Sequence, residues 1–345
     1  MGVWAYGWFF LPYSHTPTPK GKVTYMKLGI GLYGTNGHQI DHSLVDNPRV
    51  KLVALAAYDE KYLPEVFKND TGIRRYATLD EMLANDEVQI VSLCSSRRRD
   101  QAQDSIRCLR AGKHAYAEKP CAMTEEDLDA LLEAAKSSGV VFREMGGTAF
   151  VQPFITIREI VQAGTIGEVI QVFAQKSYPN FESRPQDEDI DGGLTMQAGI
   201  HGVRMIENAA CQRISEVRAF ETQLCNPHPG ELRIATSCMM RLENGGVATM
   251  LANYLNPKDG FGFWGNDQLR VFGTQGMVEA VDGATRTRLV LRDKDCGPLD
   301  LSAPGLDYLN AFFDEIEGKP TMPLSLEEEL HSTRVVIQAR ESARS

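Results

Sequence analysis

The stretch GLYGTNG, residues 31–37, decides the fold of this chain. It follows a short apolar run typical of a buried strand and precedes a predicted helix from Gly37 to Val45. Gly31, Gly34 and Gly37 form a G-x-x-G-x-x-G turn, whose backbone can approach a pyrophosphate beside the unpaired amides of a helix N-terminus. A purely structural turn is the alternative, but the place directly after the first strand favours a dinucleotide.

Outward from this turn, apolar runs and helical patterns alternate through the first half of the chain. The predicted strands are Lys27–Leu32, Val50–Ala57, Val88–Cys94, His114–Ala117 and Val140–Glu144, and the predicted helices include Leu79–Leu83, Arg98–Ala111 and Leu128–Ser137. Repeated strand–helix units build a parallel sheet with helices on both faces and a ligand crevice at the carboxyl ends of its strands. Residues 26–146 are therefore predicted to form a doubly wound, Rossmann-like domain.

The pattern changes after about Gly146. One helix, one strand and a second helix near Gly193–Ala209 are followed by several strands joined by short turns such as ENGG, residues 243–246. Consecutive strands with short connections favour an antiparallel sheet. Residues 147–345 are predicted to form an α+β domain with an open, mainly antiparallel sheet and two closing helices, which gives the whole chain an α/β fold class.

Length and composition limit the classes of function. The chain has 345 residues, which suits two domains, and its 43% hydrophobic and 24% charged residues are typical of globular proteins. Its 46 acidic and 36 basic residues give a net charge of −10, which argues against a nucleic-acid or anionic-membrane surface and favours a small-molecule ligand. The seven cysteines form no C-x-x-C pair, so we expect reduced thiols and a cytoplasmic location. No metal site is predicted, because His38 and His42 lack an evident third ligand.

Residues 1–25 differ in composition from the rest of the chain. They are rich in aromatic residues and proline, with Pro12 interrupting the apolar run, and basic residues come after that run. This order is unlike a signal peptide, and the run is too short to span a bilayer. We predict a loose N-terminal extension; an aromatic arm packed on a partner subunit and a membrane-touching segment are the alternatives.

Two motifs after the glycine turn carry a family resemblance. AGKH at residues 111–114 and AEKP at 117–120 resemble motifs of the Gfo/Idh/MocA oxidoreductases, which are sugar, polyol and inositol dehydrogenases. The resemblance runs from Met26 through DGG at 191–193 and GIH at 199–201 to the closing residues. It implies a Rossmann domain that binds NAD or NADP, and a second domain whose open sheet commonly joins subunits into a homodimer or homotetramer.

Lys119 and His201 are the candidate groups for chemistry. Removing a hydride from a secondary alcohol needs a nicotinamide, a group that takes the hydroxyl proton, and positive charge near the developing alkoxide. Lys119 follows a strand beside the crevice and can supply charge, while His201 can move a proton. The alternatives are a solvated loop lysine and a satisfied helix histidine.

The chain departs from the family pattern near these groups. Gln197 stands where relatives often carry aspartate, four residues before His201, and Arg204 stands where they often carry an acid. Gln197 can still reach the pocket of His201, because positions i and i+4 share a helix face. The stretch SRRR, residues 96–99, replaces a T-P-N motif; it offers an anion grip or a solvated helix start. The frequent Arg-Phe pair after the sixth strand appears as AF, residues 149–150.

The predicted site combines these positions. The acid expected to bind the ribose near the end of the second strand is Ala57 in the natural alignment, with Asp59 two residues later, so the choice between NAD and NADP stays open. The predicted catalytic residues are Lys119, His201 and Gln197. The predicted cofactor-binding residues are Gly31, Gly34, Thr35, Asn36, Gly37, Asp59, Ser96, Arg97, Glu118 and Lys119.

The sequence favours an NAD(P)-dependent oxidoreductase that transfers a hydride between nicotinamide and a hydroxyl-bearing sugar, polyol or inositol-like substrate. Two alternatives remain: a dinucleotide-bound regulator without turnover, and a redox-neutral glycosidase or lyase that uses NAD transiently. Net turnover of free cofactor separates the first function from the other two.

Overall fold

Two β-sheets organise residues 27–180, 182–257 and 265–345, which are the residues described by the computed structural model. The prediction that residues 1–25 form a loose extension lies outside the described residues.

The first sheet has parallel strands in the order β3-β2-β1-β4-β5-β6. Ile30 and Leu32 of the first strand are fully buried, and the fourth strand is buried along its whole length, as expected of strands covered on both faces. This arrangement confirms the predicted doubly wound sheet. The strands are β1 Leu28–Tyr33, β2 Val50–Ala56, β3 Arg74–Tyr76, β4 Ile90–Leu93, β5 His114–Ala117 and β6 Phe142–Glu144.

Short and medium helices connect these strands. The best-defined one begins at Thr124, whose hydroxyl accepts the amide of Asp127 at 3.1 Å, and ends at Gly139 with a φ of 70°. The helices are α1 Glu65–Lys68, α2 Leu79–Leu83, α3 Gln101–Arg110 and α4 Glu125–Ser138.

The predicted helix from Gly37 to Val45 is wrong. The structure has a 3-10 turn there, Asp41–Leu44. The Nε2 of Gln39 donates to the backbone oxygen of Gly34 at 3.2 Å, and the carboxylate of Asp41 accepts from the next backbone amide at 2.7 Å. Local bonds of this kind compete with the i to i−4 bonds of a helix. The glycine turn is therefore not followed by the helix N-terminus that the sequence predicted.

The second sheet has strands in the order β14-β13-β12-β11-β7-β10-β9-β8. Within it β7 and β10 run parallel, and the other neighbouring strands run antiparallel, which confirms the predicted, mainly antiparallel sheet. Buried and exposed residues alternate along the strands, so one face packs on helices. The strands are β7 Val169–Ser177, β8 Ile214–Thr222, β9 Ala235–Leu242, β10 Val247–Asn253, β11 Gln268–Gly273, β12 Gly276–Val281, β13 Arg286–Leu291 and β14 Lys294–Gly297.

The helices of the second domain cover the inner face of this sheet. The helix predicted near Gly193–Ala209 is interrupted at Ala198 and ends in a single π-helical turn, Met205–Ala209. A Cβ at Gly202 would lie 2.6 Å from Cγ of Met250, so this glycine lets the helix rest directly on the sheet. The helices are α5 Phe154–Gln162, α6 Glu188–Asp191, α7 Gly193–Gln197, α8 Gly199–Arg204, α9 Tyr308–Ile316 and α10 Leu326–Arg344.

The last helix connects the two domains through buried charges. Arg143 of β6 contacts Glu315 of α9 at 2.7 Å and Glu329 of α10 at 3.0 Å. The neighbouring Glu144 accepts a hydrogen bond from Thr333 of α10 at 2.9 Å. Burial makes such charges costly unless they are paired, so β6 depends on the last two helices for its stability.

None of the described helices combines the length and the apolar character that crossing a membrane requires.

Candidate active site

Two adjoining cavities lie at the carboxyl ends of the first sheet. The larger, of about 1050 Å³, is lined by the turns that follow several strands of that sheet and by residues of the second domain. The smaller, of about 330 Å³, lies between the end of β6, α8 and the start of α9. His38, Glu118 and Lys119 line both cavities, so these residues mark where the two cavities meet.

The glycine turn after β1 is shaped by close backbone contacts. Gly34 has a φ of 69°, and a Cβ there would lie 2.1 Å from the backbone oxygen of Cys94. Gly37 has a φ of 117°, and its Cβ would lie 2.7 Å from Cγ of Glu118 and 3.0 Å from Nη2 of Arg98. Only bare backbone fits at Gly37, which leaves the open approach that a pyrophosphate needs.

The predicted cofactor-binding residues divide into two groups. Thr35, Asn36, Gly37, Glu118 and Lys119 line the larger cavity. The remaining five, Gly31, Gly34, Asp59, Ser96 and Arg97, do not line it.

Gly31 and Asp59 have contacts that explain their distance from the cavity. A Cβ at Gly31 would lie 2.8 Å from Sδ of Met82, so this glycine is needed for packing of α2. The carboxylate of Asp59 pairs with Lys61 and caps the 3-10 turn that follows β2. Tyr58, one residue earlier, is the side chain that the end of β2 presents to the larger cavity.

Ser96 and Arg97 lie at the edge of the cleft and bind other parts of the protein there. The backbone oxygen of Ser96 accepts from Nδ2 of Asn36 at 3.2 Å. Arg97 contacts Asp187 at 2.9 Å and Asp189 at 3.2 Å, and Arg99 contacts Asp189 at 2.9 Å. These two arginines therefore bind acidic residues of the second domain across the cleft; we call these ion pairs the arginine clasp.

Lys119 is buried at the junction of the two cavities, with 3% of its surface exposed. Its Nζ donates to the backbone oxygen of Gln197 at 2.6 Å and lies 3.9 Å from Oε1 of Glu118. Burial lowers the pKa of Lys119 to about 8; Glu118 opposes this change, while nearby Arg98 and Arg204 add to it. Near neutral pH both the ammonium and the amine form of Lys119 are therefore present.

Glu118 is also buried, and its carboxylate contacts His38. Oε2 of Glu118 accepts from the backbone amide of His38 at 3.1 Å, and Oε1 lies 3.3 Å from the ring Nδ1. Burial alone would raise the pKa of Glu118, but His38, Lys119 and Arg98 together lower it to about 2. Glu118 therefore stays ionised and fixes the position of the glycine turn relative to Lys119.

His201 of α8 lies in the smaller cavity, 6% exposed. Its Nδ1 is 3.0 Å from Oγ1 of Thr148, and the edge of its ring meets Tyr178 with the ring centres 6.5 Å apart. Its Nε2 is buried without a hydrogen-bond partner among the described residues. Burial, and then the positive charge of Lys119, lowers the pKa of His201 well below its usual range, so the ring is neutral at neutral pH.

Gln197 ends α7, and the helix break at Ala198 separates it from α8. The shared helix face expected for Gln197 and His201 is therefore interrupted: Gln197 lines the larger cavity and His201 the smaller. Lys119 lines both and bonds to the backbone of Gln197. The side-chain oxygen of Gln197 is buried without a hydrogen-bond partner in the described part of the chain.

Arg204, the other departure from the family pattern, lies behind the site. Its guanidinium is fully buried, pairs with Glu144 at the end of β6 and donates to the backbone oxygen of Met145 at 3.1 Å. The ion pair between Arg204 and Glu144 thus joins α8 to the first sheet.

The predicted site residues do not include Thr148, Tyr178 or Arg98, although Arg98 lies in the SRRR stretch considered as an anion grip. Arg98 is 2% exposed and donates to the backbone oxygen of Asn36 at 2.7 Å, which supports the glycine turn. Thr148 lies in the turn directly after β6, and the rule that ligands bind at the carboxyl ends of parallel strands was the signal that pointed to it. The contact of Tyr178 with His201 depends on the packing of the second domain, and no sequence motif predicts it.

His38 and His42 were also considered as metal ligands. Across the described ranges, no three or more His, Cys, Asp or Glu residues are placed to hold a metal ion together.

Comparison with known proteins agrees with this architecture. Residues 28–145 match the oxidoreductase family with an NAD-binding Rossmann fold, and residues 154–279 match the GFO/IDH/MocA C-terminal domain. The chain is 25% identical to the myo-inositol 2-dehydrogenase of Thermotoga maritima over 272 residues, which is 77% of each chain.

Two solved structures share the fold over nearly the whole length. A Thermotoga maritima structure at 25% identity has a TM-score of 0.83, covering 92% of this chain and 98% of its own. The WlbA dehydrogenase of Chromobacterium violaceum, solved with NADH and UDP-GlcNAcA, has a TM-score of 0.78 at 20% identity and covers 93% and 95%. With both halves matched in order, the chain belongs to the Gfo/Idh/MocA family of oxidoreductases, whose Rossmann domain binds NAD or NADP.

Proposed function

We propose that this oxidoreductase transfers a hydride between the nicotinamide of NAD or NADP and a secondary alcohol or ketone of a sugar, polyol or inositol-like substrate. The observation that carries the proposal is the set of polar atoms around the two cavities. Lys119 borders both cavities, and each cavity has a residue with a buried polar atom that has no partner in the described ranges: Nε2 of His201 at the smaller cavity and Oε1 of Gln197 at the larger. A substrate with several hydroxyl groups would satisfy all three.

We propose that the larger cavity holds the dinucleotide. Thr35, Asn36 and Gly37 would bind the pyrophosphate through the glycine turn, and Tyr58 would lie beside the adenosine at the end of β2. Glu118 would keep the turn in place through His38. When bound, the nicotinamide supplies the hydride acceptor.

Lys119 would take the proton in alcohol oxidation. In its amine form Nζ accepts the proton of the substrate hydroxyl, and in the reverse reaction the ammonium returns it. A pKa of about 8 suits this role, because both forms are present near neutral pH. His201, being neutral, would bind a further hydroxyl through Nε2 and so orient the reacting carbon.

A panel of sugars and cyclic polyols, assayed with NAD and NADP separately, tests the proposal by nicotinamide absorbance. We expect turnover with at least one polyhydroxy substrate, and a loss of roughly 10²-fold or more in Lys119→Met at unchanged dinucleotide affinity. Saturable dinucleotide binding without turnover across the panel would instead identify a regulator. Sugar release without net change in absorbance would identify a redox-neutral lyase or glycosidase.

We further propose a homodimer or homotetramer formed through the second sheet. Its solvent face carries large exposed apolar side chains, which in an isolated subunit would contact water: Ile170 of β7, Phe220 of β8, Met239 of β9 and Val247 of β10. Sedimentation of the wild type and of Phe220→Asp tests this assembly. We expect dissociation in the variant; a monomeric wild type would contradict the proposal.

We also propose that the boundary between the two domains lies between residues 146 and 147.

A further inference from the structure

The contact between Thr148 and His201 joins the turn after β6 to α8, two segments 53 residues apart along the chain. Thr148 Oγ1 lies 3.0 Å from Nδ1 of His201, and both residues border the smaller cavity. We infer that Thr148 is the positioning residue for His201: its hydroxyl accepts the Nδ1–H of the ring, so that the lone pair of Nε2 faces the substrate. The role of the ring in binding substrate rests on the proposed function. The tautomer of the ring rests only on the geometry around it.

Thr148 is held firmly enough to position another side chain. It lies in a 3-10 turn, Gly147–Phe150, directly after β6. A Cβ at Gly147 would lie 3.0 Å from Cβ of Tyr308, so the turn packs closely against the start of α9. Phe150 stacks on the ring of Tyr308 with centres 5.6 Å apart, and its backbone oxygen accepts from the amide of Leu306 at 2.9 Å. The hydroxyl of Thr148 is therefore presented from a packed surface.

The ring of His201 is fixed from two further directions. Its helix rests on Met250 through Gly202, and the ring makes a T-shaped contact with Tyr178 at an interplanar angle of 83°. These contacts set the ring plane, and Nδ1 bonds to Thr148. A neutral imidazole has one donor and one acceptor nitrogen, and a hydroxyl can pair with either, so the charges around the ring decide which nitrogen carries the proton.

The charges around the ring favour the proton on Nδ1. The groups that act on His201 come from four elements and are all cations or potential cations: Lys119 after β5, Lys176 in β7, Arg204 in α8 and His38 after β1. Lys119 borders the same cavity as the ring. Nε2 is the ring nitrogen that no described residue binds, and among these cationic groups a lone pair there is electrostatically better than an N–H bond, so Nδ1–H is left to donate to Thr148.

Gln197 is compatible with this arrangement. An aspartate at position 197 would add a negative charge close to Lys119, whose Nζ bonds to the backbone of that residue, whereas an amide adds no charge. The partner of Nδ1 is a neutral hydroxyl, and the surroundings of His201 keep its ring neutral.

Nitrogen-detected NMR of ¹⁵N-histidine protein tests the tautomer without substrate or turnover. His201→Gln assigns the resonances of this ring among the seven histidines of the chain. We expect the Nδ1–H tautomer in the wild type and in Thr148→Ser, which keeps the hydroxyl, and a shift toward Nε2–H in the near-isosteric Thr148→Val. An Nε2–H wild type, or the same tautomer in Thr148→Val as in the wild type, overturns the inference.

Kinetics on an accepted substrate test the consequence for the reaction. We expect kcat/KM to fall roughly tenfold in Thr148→Val and to recover in Thr148→Ser, with dinucleotide affinity and melting temperature unchanged. Equal kcat/KM in Thr148→Val and wild type would overturn the positioning role. If no substrate is turned over while the NMR result holds, the proposed function fails and the tautomer assignment stands.

Discussion

The side chain of Lys119 reaches across the domain boundary and donates to the backbone oxygen of Gln197, 2.6 Å away. A backbone acceptor has no charge of its own and is present whatever residue occupies position 197. The amine therefore keeps its place without a carboxylate partner at that position, and burial is free to lower its pKa.

The first prediction concerns pH. The pKa of Lys119 is lowered from 10.5 to about 8, so the amine form becomes the major one above about pH 8. If Nζ accepts the proton, kcat for oxidation should rise about tenfold per pH unit below that value and level off above it, while reduction shows the reverse trend. Initial rates from about pH 6 to pH 10 measure this, with Lys119→Arg as the control that stays charged. The same alkaline rise in Lys119→Arg would assign the titration to another group.

The second prediction separates backbone strain from cofactor binding. Gly37 and Gly112 both have positive φ, at 117° and 71°, but a Cβ at Gly112 meets nothing within 4 Å, whereas one at Gly37 meets Glu118 and Arg98. Alanine at either position should lower the melting temperature through strain. Only Gly37→Ala should also weaken dinucleotide binding in calorimetry, by roughly tenfold or more. Equal affinities in both variants would place the pyrophosphate away from the turn.

The third prediction concerns the buried pair of Arg204 and Glu144, whose side chains are both fully buried. Arg204→Met or Glu144→Gln should each lower the free energy of unfolding by about 3–5 kcal/mol, because the remaining charge loses its partner. Arg204→Asp, which follows the family pattern more closely, should be worse, since it places two carboxylates together. Denaturant titration measures these changes. The double variant Arg204→Met/Glu144→Gln should recover part of the loss; a stable Arg204→Asp protein would refute the account.

The fourth prediction concerns the arginine clasp. Asp189 binds both Arg97 and Arg99, and the next residue, Ile190, accepts a hydrogen bond from Asn36 in the glycine turn at 2.5 Å. Asp189→Asn should loosen α6 over the cleft and speed release of the reduced dinucleotide, NADH or NADPH, several-fold in stopped-flow fluorescence. High salt should speed release from the wild type and have less effect on the variant.

Asp59→Asn is the matched control for the clasp, since Asp59 pairs with Lys61 away from the larger cavity. Both substitutions remove one exposed surface charge, and surface ion pairs contribute little to global stability. Similar melting temperatures with faster release in Asp189→Asn alone would support the clasp. Equal release rates in the two variants would show that these ion pairs do not hold the cofactor.

Patterns within a short stretch of sequence predicted most of the fold. Apolar runs located the central strands, and the short connections between consecutive strands, such as residues 243–246 between β9 and β10, identified a mainly antiparallel second sheet. The helix predicted after Gly37 failed because Gln39 and Asp41 bond to the backbone around them, and residue pattern alone does not show such competition.

The candidate site was predictable where its residues lie in motifs. Lys119 and His201 were identified from AEKP and GIH, and both line the smaller cavity. Arg97 was predicted to bind the cofactor, and in the structure it pairs with Asp187 and Asp189. These partners lie about 90 residues away along the chain, so no local sequence pattern indicates the pairing. Thr148 was missed for the same reason, since its partner His201 is 53 residues distant along the chain.

The ion pairs of β6 can be completed only late in the synthesis of the chain. Glu329 is 186 residues beyond Arg143 along the chain, so the ribosome exposes the last strand of the first sheet long before its partner exists. Glu144 can meet Arg204 and Arg143 can meet Glu315 earlier, but until α10 emerges Arg143 lacks its fully buried partner Glu329 and gains less from leaving water. The nascent first domain therefore completes the buried charge network at its sheet edge only after α10 has been synthesised.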